Sequence, residues 1–240
     1  MTTQHRHLFA RVLSLALLTL LATAAQAQRI HAYLAAGPTV SQVEGDELKG
    51  FRKWGGTGGV GALVSLSENN RWKMCVEVDF AQRGFKNKTR NPYNIDATLN
   101  YVDIPVTFHF HDNKGGMTFG AGLLYGRLVK QPHGKLDHTS TFLPDTNDMT
   151  FLKNDFAAII DLRFTVWRGL QLNLRFQYSI APIKKDWKFV EYENETQIRN
   201  DDPAVWYNNC RNISIGARLI WEFGTEDKSS SSRKTRRHRR

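Results

Sequence analysis

Apolar and polar residues alternate without interruption over residues 170–180, which read LQLNLRFQYSI. Apolar side chains occupy every second position from Leu170 to Ile180, and polar side chains fill the positions between them. Because successive side chains of a strand point to opposite faces, this pattern predicts a β-strand with one apolar and one polar face. In a soluble sandwich the apolar face would form the core, whereas in a membrane barrel it would face lipid and the polar face would line the lumen.

The same alternation recurs along the chain and predicts an all-β protein. Eight strands are predicted: the Gly-rich segments 30–40, 55–67 and 115–129, and the alternating segments 71–83, 98–111, 154–167, 170–180 and 211–223. No helical periodicity of useful length follows the first 27 residues.

The connections between the predicted strands are of two kinds that alternate along the chain. Short ones at 68–70, 112–115 and 168–169 carry Asn, Asp and Gly, which suit hairpin turns. Long ones lie at about 41–54, 84–97, 130–152 and 183–206. This layout predicts an eight-stranded antiparallel up-and-down transmembrane β-barrel, with both termini and the short turns in the periplasm and the long loops outside.

Large aromatic residues fall into two bands, which fits the same architecture. Trp72, Trp167 and Trp221 lie at short-turn or terminal ends of their strands, and Trp54, Tyr125, Tyr178 and Trp206 lie near the long-loop ends. Two bands of interfacial aromatics are typical of a bilayer-spanning barrel, and a soluble sandwich has no reason to sort its tryptophans in this way.

The polar strand faces carry many charges that a closed barrel would place in its lumen. These are Glu77, Asp79, Arg83, Asp103, Asp161, Arg163, Arg175, Arg218 and Glu222. An eight-stranded barrel is only wide enough for side chains to fill, so buried ions must pair. The sequence therefore predicts a packed lumen charge network and no diffusion pore. A soluble lipocalin-like barrel, with its apolar face turned inward around a ligand, is the weaker alternative.

The two ends of the chain differ from the body between them. Residues 1–27 combine a basic start, an apolar run and Ala25-Gln26-Ala27, which predicts a secretory signal peptide cleaved after Ala27. The barrel then spans 28–224. Residues 225–240 form a Ser-rich tail that holds 7 of the 33 Lys and Arg, and we expect it to be disordered. With 2 acidic residues beside them, the tail carries half of the formal net charge of +10, and in the predicted layout it would lie in the periplasm, where anionic lipid, peptidoglycan or an acidic partner could meet it. Nucleic acid is not an expected partner there.

Several segments resemble the PorT-like outer-membrane proteins, often labelled "porin family", of Bacteroidetes-type bacteria. The matching segments are AAGPTV at 35–40, EVDFAQRGFKNK at 77–88, NYVDIPVTFHF at 100–110, TFGAGLLYGRLV at 118–129, KNDF at 153–156 and LNLRFQYSIAPI at 172–183. The resemblance implies an eight-stranded barrel in the outer membrane and no single biochemical function.

The last predicted strand resembles the signal that the barrel-assembly machinery reads. Gly216, Leu219, Trp221 and Phe223 give glycine, an apolar residue and two aromatics at that signal's spacing. An ordinary lipid-facing strand would show a similar pattern, and the two interpretations are compatible.

Two motifs that carry chemistry elsewhere fail in this context. Gly56, Gly58 and Gly61 match a dinucleotide fingerprint by letter, but they open a strand and no helix follows. His109 and His111 share one strand face and could bridge a metal, yet no third ligand can be named. No cofactor-binding or metal-binding residue is predicted.

The long third loop holds two weak candidates for chemistry. Asp137, His138 and Ser140 are hydrolase residue types, but no nucleophile elbow surrounds the serine. Asp145, Asn147 and Asp148 lack the glycine and distal glutamate of a calcium loop. No catalytic residue is predicted.

The two cysteines, Cys75 and Cys210, are expected near opposite ends of the barrel, too far apart for a disulfide.

The sequence as a whole predicts a non-enzymatic outer-membrane protein with a plugged polar lumen. It would act as a structural or interaction protein through its extracellular loops or its periplasmic tail. Its expected partners are outer-membrane lipid, the barrel-assembly machinery and an unidentified protein or envelope component. A lipid-modifying enzyme and a narrow channel remain the alternatives.

Overall fold

The structure of the protein is a computed structural model, which describes residues 30–46, 50–67, 69–86, 96–112, 116–131, 142–144, 150–191 and 204–223. The predicted signal peptide and the predicted basic tail lie outside these residues. In the part of the chain that is described, no helix is long and apolar enough to cross a membrane.

Ten strands make up the described chain. They are β1 Ile30–Glu44, β2 Lys53–Ser65, β3 Trp72–Lys86, β4 Asp96–His111, β5 Met117–Lys130, β6 Phe142–Pro144, β7 Asn154–Trp167, β8 Leu170–Ser179, β9 Lys184–Glu191 and β10 Ala204–Glu222.

Eight of these strands close into an antiparallel barrel in the order β1-β2-β3-β4-β5-β7-β8-β10. The barrel closes because β10 also pairs with β1, in a ladder that runs from Tyr33 opposite Glu222 to Glu44 opposite Arg211. Neighbours in the barrel are also consecutive among these eight strands, as expected for a meander. The predicted all-β, eight-stranded antiparallel barrel is confirmed.

The two remaining strands correct the expectation that 130–152 and 183–206 are loops. β10 is 19 residues long and its first part, from Ala204 to Cys210, extends beyond the barrel and pairs with β9. β9 in turn pairs with the short β6. A strand that leaves the barrel carries backbone N–H and C=O groups that need partners, and β9 provides them.

The polar faces of the strands are buried inside the barrel, and the apolar faces lie on its outside. Apolar side chains such as Val78, Ile104 and Leu219 are exposed on the outside, whereas the polar residues between them are buried inside. A lipocalin-like barrel would show the reverse arrangement. The barrel therefore has a polar, filled interior and an apolar outer wall, which is the arrangement that suits lipid.

Candidate functional site: the barrel lumen

Buried charged side chains form one layer at mid-height in the lumen. We call this layer the lumen belt. It consists of Glu77, Asp79, Arg83, Asp103, Asp155, Asp161, Arg163, Arg175 and Arg218, all of which are buried. They lie on β3, β4, β7, β8 and β10. Each is two or four residues from another lumen-facing residue of its strand, and side chains at this spacing share one face of a strand.

Arg175 on β8 connects two sides of the lumen belt. Its Nη1 and Nη2 donate to Glu77 at 2.9 and 2.7 Å. Its Nε and Nη2 donate to Asp161 Oδ2 at 3.1 and 2.6 Å. A further contact from Nη1 reaches Asp79 Oδ2 at 3.3 Å. One guanidinium thus holds three carboxylates from β3 and β7 together.

Arg218 and Arg163 complete the same cluster. Arg218 Nη1 lies 3.0 Å from both Glu77 Oε2 and Asp79 Oδ2. Arg163 Nη2 lies 3.2 Å from Glu77 Oε1, and its Nε lies 3.4 Å from Asp161 Oδ1. Because guanidinium groups present several donors in a fixed plane, three of them can bind three carboxylates with few donors left over.

A second group of ion pairs lies closer to the long-loop end. Arg83 contacts both Asp103 and Asp155, the latter at 3.2 Å. Asn212 Nδ2 donates to Asp155 Oδ2 at 3.0 Å and to the Tyr101 hydroxyl at 3.3 Å. Asp155, Tyr101 and Asn212 were not among the predicted site residues, although alternation already places Asp155 on the lumen face. The signal that identifies Asp155 is its position six residues before Asp161 on the same strand face.

Glycines on neighbouring strands make room for large lumen side chains. A Cβ on Gly120 would overlap the ring of His109, and a Cβ on Gly61 would overlap the ring of Tyr33. Tyr33 donates a 2.5 Å hydrogen bond to Glu77 Oε1. The last glycine of the fingerprint-like motif therefore serves packing in the middle of β2, and the motif has no structural likeness to a dinucleotide site.

The second layer closes the lumen at the long-loop end and was not predicted. We call it the outer cap. It is an apolar cluster of Val43, Phe85, Ala97, Leu99, Tyr101, Leu128, Phe151, Ile183, Trp187 and Cys210. The members come from the long-loop halves of several strands, from Phe151 before β7, and from Ile183 and Trp187 at the start of β9, so no periodic pattern in one segment identifies them.

Three aromatic rings form the centre of the outer cap. The Phe85, Phe151 and Trp187 centroids are 5.8 to 6.1 Å apart in all three pairs. The Lys184 ammonium lies 5.6 Å from the Phe151 ring and 5.5 Å from the Trp187 ring, and it donates to Thr150 O at 3.1 Å. A cation over aromatic faces adds to the apolar packing.

One cavity lies between the lumen side chains of the described chain. The cavity bounded by Arg83, Arg175 and Arg218, and by hydroxyl and small residues of β1, β2 and β10, has a volume of about 10 Å³. This is about the volume that one water molecule needs.

The lumen belt holds more negative than positive groups. Its five carboxylates exceed its four guanidinium groups by one, and Asp79, Asp103 and Asp155 each keep one oxygen without a hydrogen-bond partner in the described chain. His109 Nε2 lies 3.8 Å from Asp161 Oδ2, which is too far for a hydrogen bond. Within the described ranges no three His, Cys, Asp or Glu side chains form a potential metal site.

The nine charged residues predicted to line the lumen do not all lie in one cluster. Eight of the nine predicted charges lie in the lumen belt. Glu222 is buried near the short-turn end, where it accepts a 2.9 Å hydrogen bond from Gln171 and lies 3.3 Å from His31. Cys75 and Cys210 lie in different buried clusters and are not joined to each other.

The predicted girdle and insertion-signal residues lie mostly on the outer wall. Trp72, Trp167 and Trp221 are exposed toward the short-turn end, and Trp54 and Tyr125 toward the long-loop end, while Tyr178 is partly buried. The Trp206 side chain lies outside the described part. Of the insertion-signal residues, Leu219, Trp221 and Phe223 are exposed on the outer wall and Gly216 faces the lumen.

The other candidates for chemistry are placed as follows. His111 Nδ1 lies 2.8 Å from the Thr118 hydroxyl, and His109 is buried in the lumen. The loop candidates Asp137, His138, Ser140, Asp145, Asn147 and Asp148 lie outside the described residues.

The chain is similar to known outer-membrane barrel proteins. The family model described as "Outer membrane protein beta-barrel domain" matches residues 13–220. Among solved structures, Neisserial surface protein A is 14% identical, with 80% of this chain and 97% of that chain covered and a TM-score of 0.42. Ail, the attachment invasion locus protein of Yersinia pestis, is 12% identical, with 80% and 98% covered and a TM-score of 0.42. OprG from Pseudomonas aeruginosa is 11% identical, with 81% and 95% covered and a TM-score of 0.34. No curated protein matches the chain.

Proposed function

Since the chain belongs to the outer membrane protein β-barrel domain family, we propose that it is a non-enzymatic structural or interaction protein of the outer membrane. The observation that carries this proposal is the filled lumen. The lumen belt occupies its middle and the outer cap occupies its long-loop end. A barrel filled at two levels offers no route for a solute, so the loops and the outer wall are the surfaces left for contact with partners.

Planar-bilayer conductance tests the closed lumen. The purified full chain is inserted into a bilayer beside an open porin as a positive control. We expect no discrete current steps from this protein at any voltage at which the porin conducts. Reproducible unitary currents would overturn the closed lumen and favour the narrow channel.

Analysis of membrane lipid tests the non-enzymatic role. Lipid A from cells with and without the gene is compared by mass spectrometry. We expect identical acyl and phosphate patterns, because the described lumen offers no accessible nucleophile. A mass difference that returns on complementation would instead support a lipid-modifying enzyme.

The finer family assignment and the processing of the chain are part of the proposal. The segments quoted above support placement among the PorT-like, "porin family" proteins, and the Ala25-Gln26-Ala27 signal supports removal of residues 1–27. N-terminal sequencing of protein from the outer-membrane fraction should begin at Gln28. A mature chain that retains the apolar run would contradict the processing step.

We also assign the end of β10 to recognition by the barrel-assembly machinery. The outward position of Phe223 supports this assignment, because a recognised aromatic must be accessible while the barrel is inserted. Phe223→Ser should lower the assembled fraction in cells while purified protein refolds in detergent as the wild type does. Phe119 is equally exposed, at 46%, so Phe119→Ser is the matched control. Equal assembly defects for both variants would contradict a specific signal.

The basic tail, residues 225–240, is proposed to contact an anionic component of the periplasm. Its 7 Lys and Arg support this, because they follow a strand that ends at the short-turn side of the barrel. Peptidoglycan and anionic vesicles should each be tested for co-sedimentation with the full chain and with a chain that ends at 224. Equal sedimentation of both chains would remove the tail from the proposal.

A further inference from the structure

The negative excess of the lumen belt is confined to one part of it. Near the middle of the lumen, three guanidinium groups pair with three carboxylates. These are Arg163, Arg175 and Arg218 with Glu77, Asp79 and Asp161. Toward the long-loop end, the single guanidinium of Arg83 contacts two carboxylates, those of Asp103 and Asp155. The first cluster is balanced in charge, and the second, which we call the outer ion group, holds one negative charge in excess.

Direct contacts hold the outer ion group together on the lumen face of the sheet. Arg83 Nη2 donates to Asp103 Oδ2, and Arg83 Nη1 lies 3.2 Å from Asp155 Oδ2. Asn212 Nδ2 donates to the same Asp155 oxygen at 3.0 Å. Gly126 on β5 stands opposite Asp103 in one ladder and opposite Asp155 in the next. The two carboxylates therefore flank, at one height, a residue that has no side chain.

Several oxygens of this region are left without partners. Asp103 Oδ1, Asp155 Oδ1 and Asn212 Oδ1 are buried, and none of them has a hydrogen-bond partner within the described ranges. The Ser179 hydroxyl, on the strand that pairs with β10, is in the same position. Carboxylate and amide oxygens only accept hydrogen bonds, so they cannot satisfy one another. Buried polar atoms without partners are rare in folded proteins and indicate a bound water or ion.

The charge of the outer ion group favours a monovalent cation over the other candidates. A water molecule could donate to two of the oxygens, but it would leave the buried negative charge without compensation, which is costly. A divalent ion would leave a surplus of positive charge, and it requires about six or more oxygen ligands. One alkali-metal cation balances the charge and binds oxygen ligands of these types.

Gly126 provides the space for such an ion. A Cβ at this position would lie 2.7 Å from Asp103 Oδ1 and 3.4 Å from the Tyr101 ring, so the unpartnered oxygen is aimed at the place where a side chain would begin. Arg83 contacts the Oδ2 atom of each carboxylate, which leaves the Oδ1 atoms for another ligand. Tyr101, whose hydroxyl accepts from Asn212, belongs to the outer cap, and the cap covers the site from the long-loop end.

We propose that Asp103, Asp155 and Asn212 form a buried binding site for one dehydrated alkali-metal cation such as Na⁺. The cation is coordinated by the three unpartnered Oδ1 atoms, and the Ser179 hydroxyl is a further ligand. Because the ligands lie on three different strands, the site exists only in the folded barrel. The inference goes beyond the proposed function and does not depend on which partner the loops bind.

The dependence of stability on sodium tests this site. Urea unfolding of the full chain in phospholipid vesicles is measured as Na⁺ is raised, with choline chloride keeping the ionic strength constant so that screening does not change. A cation that binds only the folded chain should lower the unfolding equilibrium constant about tenfold for each tenfold rise in Na⁺ above its Kd. An equilibrium constant that does not change with Na⁺ would overturn the proposal.

Two matched variants test whether the outer ion group is responsible. Asp155→Asn keeps the size of the side chain and removes the excess charge, so its unfolding equilibrium constant should not respond to Na⁺. Asp79→Asn is the control, because it also removes a buried carboxylate with one unpartnered oxygen in the described chain, but from the balanced cluster. It should respond to Na⁺ as the wild type does. Loss of the response in both variants would overturn the proposal in favour of a general effect of lumen charge.

A third variant changes the space and keeps the charge. Gly126→Ala places a methyl group 2.7 Å from Asp103 Oδ1, so more Na⁺ should be needed for the same stabilisation. This variant also keeps the test decisive if Asp155→Asn fails to fold, as judged by heat-modifiable gel mobility. An unchanged response of Gly126→Ala to Na⁺ would overturn the assigned position.

Anomalous diffraction then locates the ion directly. Thallous ion replaces alkali-metal cations and scatters anomalously, so crystals of the full chain soaked in it should show a peak between Asp103 and Asp155. The same soak of Asp155→Asn crystals should show no peak there. A peak elsewhere in the lumen, with none between the two carboxylates, would overturn the proposal.

Discussion

Replacement of Arg175 by Met removes the cation that connects two sides of the lumen belt. Methionine has a similar length and is apolar, so the substitution mainly deletes charge and hydrogen bonds. Arg175 is 4% exposed and contacts Glu77, Asp79 and Asp161 at 2.6 to 3.3 Å. Its loss leaves three buried carboxylates to be shared by two guanidinium groups.

The expected cost follows from this geometry. Removal of one partner from a buried ion pair costs about 3–5 kcal/mol, because the remaining charge stays buried without compensation. We therefore expect Arg175→Met to lower the free energy of unfolding by about 3–5 kcal/mol. Adding Asp79→Asn restores the charge balance of this cluster and should recover at least about 1 kcal/mol, since residues in one network interact by ~0.5–3 kcal/mol.

Urea unfolding of the barrel in phospholipid vesicles measures these differences. Tryptophan fluorescence and gel mobility are followed during both unfolding and refolding, so that reversibility is established before a free energy is extracted. The matched control is Arg127→Met, which makes the same substitution at an exposed position with a neutral partner. It should change the free energy of unfolding by no more than about 0.5 kcal/mol.

Two results would refute the reasoning. A loss below about 1 kcal/mol for Arg175→Met would show that the belt carboxylates do not depend on this cation. Equal losses for Arg175→Met and Arg127→Met would show that burial in the lumen adds nothing to the cost.

Three further predictions concern other parts of the barrel. Trp187→Ala should lower the free energy of unfolding by about 3–5 kcal/mol, because it empties the centre of the outer cap, and a loss under about 1 kcal/mol in the same urea assay would contradict a packed cap. Burial opposes ionisation of Asp96, but hydrogen bonds from two lysines outweigh this effect and hold the pKa of the carboxyl below its ordinary value. The ionised carboxylate therefore stabilises the fold above the pKa of the unfolded chain, and this stabilisation is lost as pH falls through the lower pKa of the folded protein. Asp96→Asn should thus cost at most about 1 kcal/mol at neutral pH and nothing in strong acid, and a cost that persists in acid would contradict the ion pairs. Gly120→Val should lower the free energy of unfolding by about 1–3 kcal/mol, because the added side chain overlaps the ring of His109. Adding His109→Ala to this variant should restore the lost stability. An unchanged loss in the double variant would indicate that the glycine serves backbone flexibility instead.

Much of the fold was predictable because strand alternation is a local property. Each apolar residue of the 170–180 segment could be assigned to one face without knowledge of any other strand, and the structure confirms the strand and its orientation. The alternation of short and long connections then determined the antiparallel meander. The predicted face of Asp161 and Arg175 followed from the same rule.

The partners of these charges were not predictable, because pairing depends on register. Arg175 meets Asp161 directly across the β7–β8 ladder, but it meets Glu77 across the lumen, 98 residues away in sequence. Shifting one strand by two residues would preserve every alternation pattern and change these contacts. Glu222 has the same sequence pattern as the other lumen charges, yet its height in the barrel separates it from them.

By itself the sequence determined the eight barrel strands, their faces, the closed architecture and the polar character of the lumen, since each of these depends on a period of two and on connection lengths. Only the tertiary structure decided which ions pair and that Trp187 folds over the mouth of the barrel. The physical reason is that these features are long-range contacts. They depend on strand register and on loops that return to the barrel, and neither leaves a periodic signal in the chain.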